Sequence, residues 1–176
     1  MKYRFENFGG IIAGQSPPFL AFVDRKYMKG LGLDGSRIWE GEEPGIGLLS
    51  APTEVHIAVT NRCSNNCSHC YMSSRTDHME DLDTRSCKEA FRILAGMGVF
   101  HLALGGGEAL LRDDLFELAG FARQLGMVPN LTISGDLVTP EIAEKMRVFG
   151  QVNVSIDGTG EYYYTYRSSP GLMTAT

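Results

Sequence analysis

The sequence lacks the features of several large protein classes. No apolar run approaches the ~18 residues that a membrane helix requires, and the first ten residues contain no apolar core of a signal peptide. Lysine and arginine form no cluster, and 16 basic against 21 acidic residues give a formal charge of −5, which does not suit a nucleic-acid surface. We therefore expect a cytoplasmic protein that binds neither nucleic acid nor a membrane.

Internal repeats, low-complexity tracts and the composition of disordered chains are also missing. Hydrophobic residues make up 43% and charged residues 21% of the chain, as in globular domains. Glycine is in excess instead, at 21 of 176 positions against an average share of about 7%. Because these glycines lie mainly at the ends of apolar segments, they predict many short elements joined by tight turns.

The first part of the chain differs in pattern from the rest. Short strands are predicted over residues 10–13 and 19–24, around a Ser-Pro-Pro turn, and a glycine-rich acidic linker is predicted over residues 41–47. We interpret residues 1–53 as an N-terminal extension and residues 54–176 as the main domain.

Strands alternate with amphipathic helices in the main domain. The predicted strands cover residues 55–60, 99–104, 128–134 and 152–157. The predicted helices begin near Asp83 or Thr84, near Leu115 and at Thr139, and they end before Gly98, Gly126 and Gly150. Four strands separated by three helices imply a parallel sheet with right-handed crossovers.

Side chains alternate along each predicted strand. One face is aliphatic, whereas the other carries small and polar residues: His56, Ala58 and Thr60; His101, Ala103 and Gly105; Asn130, Thr132 and Ser134; Asn153, Ser155 and Asp157. A closed eight-stranded barrel would fill its interior with branched residues, and a doubly wound sheet would be apolar on both faces. The pattern therefore favours a parallel sheet curved around a cavity over an antiparallel sheet with one wet face.

Three of the four cysteines lie within eight residues, directly after the first of these strands. Cys63, Cys67 and Cys70 are spaced so that one short loop can present three thiolates to a compact inorganic group. A cubane iron–sulfur cluster has four iron corners, so three cysteines leave one iron open to an outside ligand. A zinc site needs four closed ligands and remains the alternative if His56 or His69 completes the set.

The fourth cysteine, Cys87, stands apart from this group. It falls on the apolar stripe of the first predicted helix, with Phe91 and Leu94 at helical spacing. Since buried free cysteine behaves as a small hydrophobe, we interpret Cys87 as an inert core thiol rather than a fourth ligand.

The cysteine segment resembles the CxxxCxxC signature of the radical S-adenosylmethionine (radical SAM) superfamily, which follows the first strand of a partial (β/α) barrel. Gly106, Gly107 and Glu108, at the end of the second strand, resemble the family's GGEP segment, which engages the methionine amino group. This chain departs from that segment at Ala109, where the family often has proline. Tyr71 matches the family's aromatic residue near the adenine.

The fourth strand adds a further point of resemblance. Residues 154–158, Val-Ser-Ile-Asp-Gly, resemble a segment of the peptide-modifying, SPASM-like branch, in which polar residues reach the nucleoside or methionine part of the cofactor. The resemblance therefore implies that Ser155 and Asp157 bind S-adenosylmethionine, and it relates Arg167 to a downstream arginine of the family. By the same analogy, residues 1–53 are a candidate peptide-recognition element, and the alternative is a strand pair that covers the end of the barrel.

The resemblance also implies a chemistry. Cys63, Cys67 and Cys70 hold a [4Fe-4S] cluster whose open iron binds S-adenosylmethionine. An electron from a flavodoxin- or ferredoxin-like donor cleaves this cofactor to a 5′-deoxyadenosyl radical, which abstracts a substrate hydrogen. The expected substrate is a ribosomal peptide or a small molecule in cofactor maturation. The sequence singles out no catalytic side chain. Two hypotheses compete with the radical SAM interpretation, a zinc-binding interaction module and a non-catalytic truncated scaffold.

The length adds an expectation about completeness. A full (β/α)₈ barrel takes about 250 residues, and the family's partial barrel has six strands, whereas four are predicted here. We therefore expect an α/β chain with the first four strands of the partial barrel after a small β-rich extension. The remaining cofactor contacts and any auxiliary clusters are expected outside these 176 residues.

Overall fold

The computed structural model describes residues 1–15, 17–34, 37–40, 48–65, 67–74, 80–158 and 167. These residues form two sheets, an antiparallel sheet of three strands and a parallel sheet of four. Within the described part of the chain, no helix is both long and apolar enough to cross a membrane. The linker predicted over residues 41–47 lies outside the described residues.

The N-terminal sheet contains one strand more than the sequence predicted. Its strands are β1 (Lys2–Glu6), β2 (Gly9–Gln15) and β3 (Pro18–Asp24), in that spatial order, followed by the short helix α1 (Arg25–Gly30). Strand β1 was missed because its alternating charged residues are typical of a solvated segment. The structure instead buries Arg4 and Glu6 of this strand.

Arg4 fastens the N-terminal sheet to the main domain. Its guanidinium group donates to the carbonyl oxygens of Ala51 at 2.7 Å, Pro52 at 2.9 Å and Gly98 at 3.1 Å. It also pairs with the Glu6 carboxylate at 2.7 Å, and the two side chains are only 9% and 1% exposed. Because buried charges must be paired and hydrogen-bonded, these contacts fix where the sheet sits.

The main domain has the predicted alternation of strands and helices. It runs β4 (Glu54–Thr60), α2 (Thr84–Gly96), β5 (His101–Gly106), α3 (Leu115–Gln124), β6 (Val128–Ile133), α4 (Pro140–Lys145) and β7 (Gln151–Val154). The four strands are parallel and adjacent in chain order. The predicted partial (β/α) barrel arrangement, with its first four strands, is confirmed.

Several element ends differ from the sequence expectation, among them those of β5, which covers His101–Gly106 instead of residues 99–104. Helix α4 ends at Lys145 and continues only as the 3-10 turn Met146–Val148, because this tighter turn places Met146 and Phe149 in the core. Strand β7 ends at Val154 instead of Asp157. Ser155 still donates its backbone N–H to Ile133 at 2.9 Å, and the chain then leaves the sheet.

The helix starts follow the predicted capping chemistry. The Asp83 carboxylate accepts a hydrogen bond from the Ser86 N–H at 2.6 Å, at the start of α2. The Thr139 hydroxyl oxygen accepts one from the Ile142 N–H at 3.3 Å, at the start of α4. Each bond satisfies a backbone donor that the first helical turn leaves without a partner.

The two faces of the parallel sheet have different surroundings, as the alternation predicted. The aliphatic face is covered by the helices, and Leu102, Leu104, Leu131 and Ile133 are buried there. The opposite face, with Ala103 and its small and polar neighbours, borders a cavity at the carboxyl ends of the strands. The loops that follow β4, β5, β6 and β7 therefore meet at one place.

The N-terminal sheet lies at the other end of the strands. A second cavity of about 690 Å³ separates the β2–β3 hairpin from the starts of β5, β6 and β7. Since Arg4 contacts the residues just before β4 and β5, the extension covers the amino ends of the barrel strands.

Candidate functional site

The cavity at the carboxyl ends of the strands has a volume of about 590 Å³. All nine residues that the sequence analysis assigned to a cluster or a cofactor line it: Cys63, Cys67, Cys70, Tyr71, Gly106, Gly107, Glu108, Ser155 and Asp157. The structure therefore brings together residues from three different loops. Cys87, by contrast, lies buried in the core on α2, as expected for an inert thiol.

The cysteine loop follows β4 directly and folds back on itself. Cys70 donates its N–H to the carbonyl oxygen of Cys67, and Ser73 donates to that of Cys70, each at 3.2 Å. All three thiols are free and partly buried. Burial raises the pKa of Cys63 and Cys67, and negative charge on neighbouring thiolates adds to it. A cationic centre bound by these thiols would reverse this preference, and its uptake would release protons.

The donor set suits a polynuclear centre better than a single ion. Among the described residues, no three His, Cys, Asp or Glu side chains converge closely enough to hold one metal ion. His69 is paired with Asp157 at 3.2 Å and His56 with Glu54 at 2.9 Å, and neither histidine joins the described thiols in a group close enough to hold a single ion. Three separated thiols on one loop fit a cluster, whose metal corners are spread in space.

The glycine loop after β5 packs against the start of the cysteine loop. Gly107 donates its N–H to the Thr60 carbonyl oxygen at 2.9 Å, and Glu108 donates to that of Arg62 at 2.8 Å. A Cβ added to Gly106 would lie 2.2 Å from the Thr60 oxygen, and one added to Gly107 would lie 2.2 Å from the Arg62 oxygen. These glycines therefore permit a backbone-to-backbone contact, in addition to any approach of a ligand.

Glu108 is almost fully buried, at 1% exposure, and its carboxylate is held in place. One oxygen accepts from the Leu110 N–H at 3.2 Å. The other accepts from the Ser134 N–H at 2.8 Å and from the Ser134 hydroxyl group at 2.5 Å. The end of β6 thus orients the carboxylate carried by the loop after β5.

The segment after β7 is linked to the cysteine loop through Asp157. Its carboxylate accepts hydrogen bonds from Arg167 at 2.5 Å and from His69 at 3.2 Å. The hydrogen bond from Arg167 is the main cause that holds the pKa of Asp157 below its ordinary value. Tyr71 lies at the rim of the cavity and is 92% exposed.

Sequence reasoning missed several residues of this site. Ser134 and Thr132 were placed on the inward face, but nothing in their spacing indicated the bond between Ser134 and Glu108. Asn65 donates from its side-chain amide to Asp136 at 3.1 Å, which joins the cysteine loop to the loop after β6. These two pairs are 26 and 71 positions apart in the chain, so only the tertiary structure reveals them.

The similarity to known proteins agrees with this geometry. The model of the radical SAM superfamily matches residues 57–171, well over half of the chain. The protein belongs to the radical SAM superfamily. The family resemblance of the cysteine segment is thereby confirmed, and membership implies S-adenosylmethionine and an iron–sulfur cluster as cofactors.

The curated radical SAM relatives include enzymes of two kinds. AdoMet-dependent heme synthase from Methanosarcina barkeri is 36% identical over 135 residues, which cover 74% of this chain and 39% of the relative. Mycofactocin maturase MftC from Mycobacterium tuberculosis is 33% identical over 140 residues, 72% of this chain and 36% of the relative. PqqA peptide cyclase from Ruegeria pomeroyi is 33% identical over a match that covers 68% of this chain and 32% of the relative. The chain thus spans about a third of the length of these relatives.

A solved radical SAM structure shares the fold. Streptococcus suis SuiB, in the crystal structure bound to precursor peptide SuiA, superposes with a TM-score of 0.65 at 14% identity. The match covers 95% of this chain and 49% of SuiB, so it takes in the N-terminal sheet as well as the barrel strands.

Proposed function

We propose that the protein acts as a radical SAM enzyme that holds a [4Fe-4S] cluster on Cys63, Cys67 and Cys70 and binds S-adenosylmethionine at the open iron. The observation that carries this proposal is the convergence of three free thiols, the glycine loop and the end of β7 on one cavity. When bound, the cluster supplies the electron that cleaves S-adenosylmethionine to methionine and a 5′-deoxyadenosyl radical, which abstracts a substrate hydrogen.

Glu108 is proposed to orient the methionine ammonium group. An ionised carboxylate has about four lone-pair sites for hydrogen bonds. Leu110 and Ser134 occupy three of them, which leaves a site for an ammonium donor. The fixed carboxylate then loses little conformational freedom when the cofactor binds, and a charge-assisted hydrogen bond is among the strong ones.

The remaining predicted contacts concern the nucleoside or the methionine part of the cofactor. We propose that Ser155 contributes polar contacts and that Asp157 does so while Arg167 and His69 fix its carboxylate. We propose that Tyr71, whose ring is exposed at the rim, covers the adenine. The inward-facing Ala58, Ala103 and Gly105 keep the cavity wide enough for a ligand, since each side chain is small or absent.

The substrate is proposed to be a ribosomal peptide or a precursor in cofactor maturation. The relatives carry the names of peptide maturases and cyclases on one side and of heme synthases on the other. A flavodoxin- or ferredoxin-like protein is the proposed electron donor, and the cytoplasm the proposed compartment.

The edge of the N-terminal sheet favours the peptide alternative. Strand β3 pairs with β2 on one side, and no other described strand pairs with its outer edge. It exposes Phe19 and Phe22, while Tyr27 of α1 and Leu31 directly after α1 are exposed as well. Soluble proteins usually avoid an open edge with apolar side chains, whereas peptide-binding domains use one to add an extended strand. We therefore propose that residues 1–53 recognise an extended peptide along β3.

A peptide array tests the role of β3. Peptides with alternating apolar residues should bind the chain. The substitution Phe22→Lys should lower their affinity about tenfold, because it places a charge on the docking strand. Ile93→Lys is the matched control, since Ile93 on α2 is 58% exposed against 56% for Phe22. Peptides that bind the parent and both variants equally would rule out β3 as the docking edge.

Paramagnetic resonance tests the proposed cofactors. After anaerobic reconstitution the chain should be brown, and the spectrum of the reduced protein should change when S-adenosylmethionine is added, because the cofactor binds the open iron. A zinc module would be colourless and hold zinc tightly. A scaffold that holds a cluster without binding the cofactor would show the same spectrum in both samples, which would overturn direct coordination.

A further inference from the structure

One carboxylate outside the predicted site, that of Asp81, holds the base of the cysteine loop. It accepts hydrogen bonds from the Thr60 hydroxyl group at 2.7 Å, the Asn61 N–H at 3.0 Å and the Arg62 guanidinium group at 3.2 Å. These three residues are consecutive and lead directly into Cys63. Asp81 thus fixes the end of β4 and the two residues that follow it, directly before the first ligand of the proposed cluster.

The same residues also hold the glycine loop. The carbonyl oxygens of Thr60 and Arg62 accept the backbone N–H groups of Gly107 and Glu108. The side chain of Thr60 is turned away from solvent, at 1% exposure, and its hydroxyl oxygen also accepts from the Arg62 N–H at 3.0 Å. Through Thr60 and Arg62, Asp81 is therefore connected to the cysteine loop and to the glycine loop after β5.

The ionised form of Asp81 is the form that makes these contacts. Burial alone would raise the pKa of this carboxyl group, but the hydrogen bonds from Thr60, Asn61 and Arg62, with the positive charge of Arg62, outweigh it and hold the pKa below its ordinary value. An ionised carboxylate only accepts hydrogen bonds, which matches its three donor partners.

We propose that Asp81 is a positioning residue that fixes the cysteine loop and the Glu108 loop relative to each other. This role rests on the proposed function, because it concerns how firmly the thiolates hold a cluster and where Glu108 lies. Residues that orient metal ligands without touching the metal typically change metal affinity or activity about 10–100-fold when they are removed. Asp81 lies 18 residues beyond Cys63 in the chain, and no spacing rule singles it out.

Two variants and a matched control test this role. Asp81→Ala removes all three acceptor contacts, whereas Asp81→Asn keeps the shape and one carbonyl acceptor. Asp83→Ala is the control, since Asp83 also accepts a backbone N–H but caps α2 and contacts neither loop residue named above. Circular dichroism and thermal unfolding of the cluster-free proteins establish that each variant is folded before the measurements below are compared.

The first measurement needs no cluster. Amide hydrogen exchange of the cluster-free protein should become about tenfold faster at Gly107 and Glu108 in Asp81→Ala, because their acceptors lose their anchor. Asp81→Asn should give an intermediate rate. Asp83→Ala should speed exchange only in the first turn of α2. Equal exchange at Glu108 in Asp81→Ala and in Asp83→Ala would overturn the proposed link.

The second measurement follows the loaded protein. Cluster loss to an iron chelator should be about tenfold faster in Asp81→Ala than in the parent chain, and near the parent rate in Asp83→Ala. A parent chain that takes up no cluster refutes the proposed function and this role with it. A parent that holds a cluster, together with an Asp81→Ala variant that holds it as firmly, refutes the role of Asp81 alone.

Discussion

Cys67→Ala should abolish both the bound cluster and the cleavage of S-adenosylmethionine. Outer contacts of metal ligands alter affinity about 10–100-fold, so loss of a ligand itself should exceed that range. Iron and sulfide content after anaerobic reconstitution, together with 5′-deoxyadenosine formed under reducing conditions, measure the two effects. Retained cleavage of S-adenosylmethionine in this variant would contradict the assignment of the cysteine loop as the cluster site.

Cys87→Ala provides the matched control for that experiment. Cys87 is also a free thiol, but it lies on α2 in the hydrophobic core, where its thiol group donates to the Leu82 carbonyl oxygen at 3.7 Å. Burial raises the pKa of Cys87 as it does for Cys63 and Cys67, but Cys87 is only 3% exposed and does not line the cavity that the other three thiols border. The variant should therefore keep a parent-like iron content and show at most a lower thermal stability.

Gly106→Ala should lower the stability of the fold by about 3 kcal/mol, which combines a strained backbone with an overpacked contact. Gly106 has a φ of +121°, and an added Cβ would lie 2.2 Å from the Thr60 carbonyl oxygen. For a domain of this size the midpoint of thermal unfolding should fall by about 6–12 °C. Urea or thermal unfolding of the cluster-free protein measures the effect.

Gly120→Ala is the control for this substitution. Gly120 lies in helix α3, and an added Cβ there would meet no atom within 4 Å. Alanine is favoured over glycine in a helix by about 0.8–1.0 kcal/mol, so this variant should be more stable than the parent. If both variants shifted stability in the same direction, the close contact between the two loops would not be the reason that Gly106 must be glycine.

The sequence predicted the features that depend on periodicity. Alternation along the strands separated Leu102 and Leu104, which face the helices, from Ala103, which faces the cavity. Helix starts were predictable because Asp83 and Thr139 bond to a backbone N–H group only a few residues ahead. Strand alternation and helix-capping residues were therefore sufficient to predict the fold of the main domain, and the errors were confined to the ends of its elements.

The contacts that shape the site were not predictable in the same way. The pairing of Ser134 with Glu108 joins residues 26 positions apart, and Asp81 acts on residues about 20 positions earlier. Strand β1 was missed because charged residues usually indicate an exposed segment. Here Arg4 and Glu6 form a buried ion pair instead. Each failure involves polar groups paired across the tertiary structure, which leave no periodic signal.

The position of the N-terminal sheet sets a minimum reach for any peptide held on β3. Arg4 ties that sheet to the amino ends of the barrel strands, whereas the cysteine loop lies at their carboxyl ends. Strand β4 is 7 residues long, which at ~3.3 Å per residue separates the two ends by about 20 Å. A docked peptide must therefore extend about six or seven residues beyond β3 before any of its atoms reaches the cavity. For a peptide held on β3 as proposed, this distance sets which of its positions can enter the cavity.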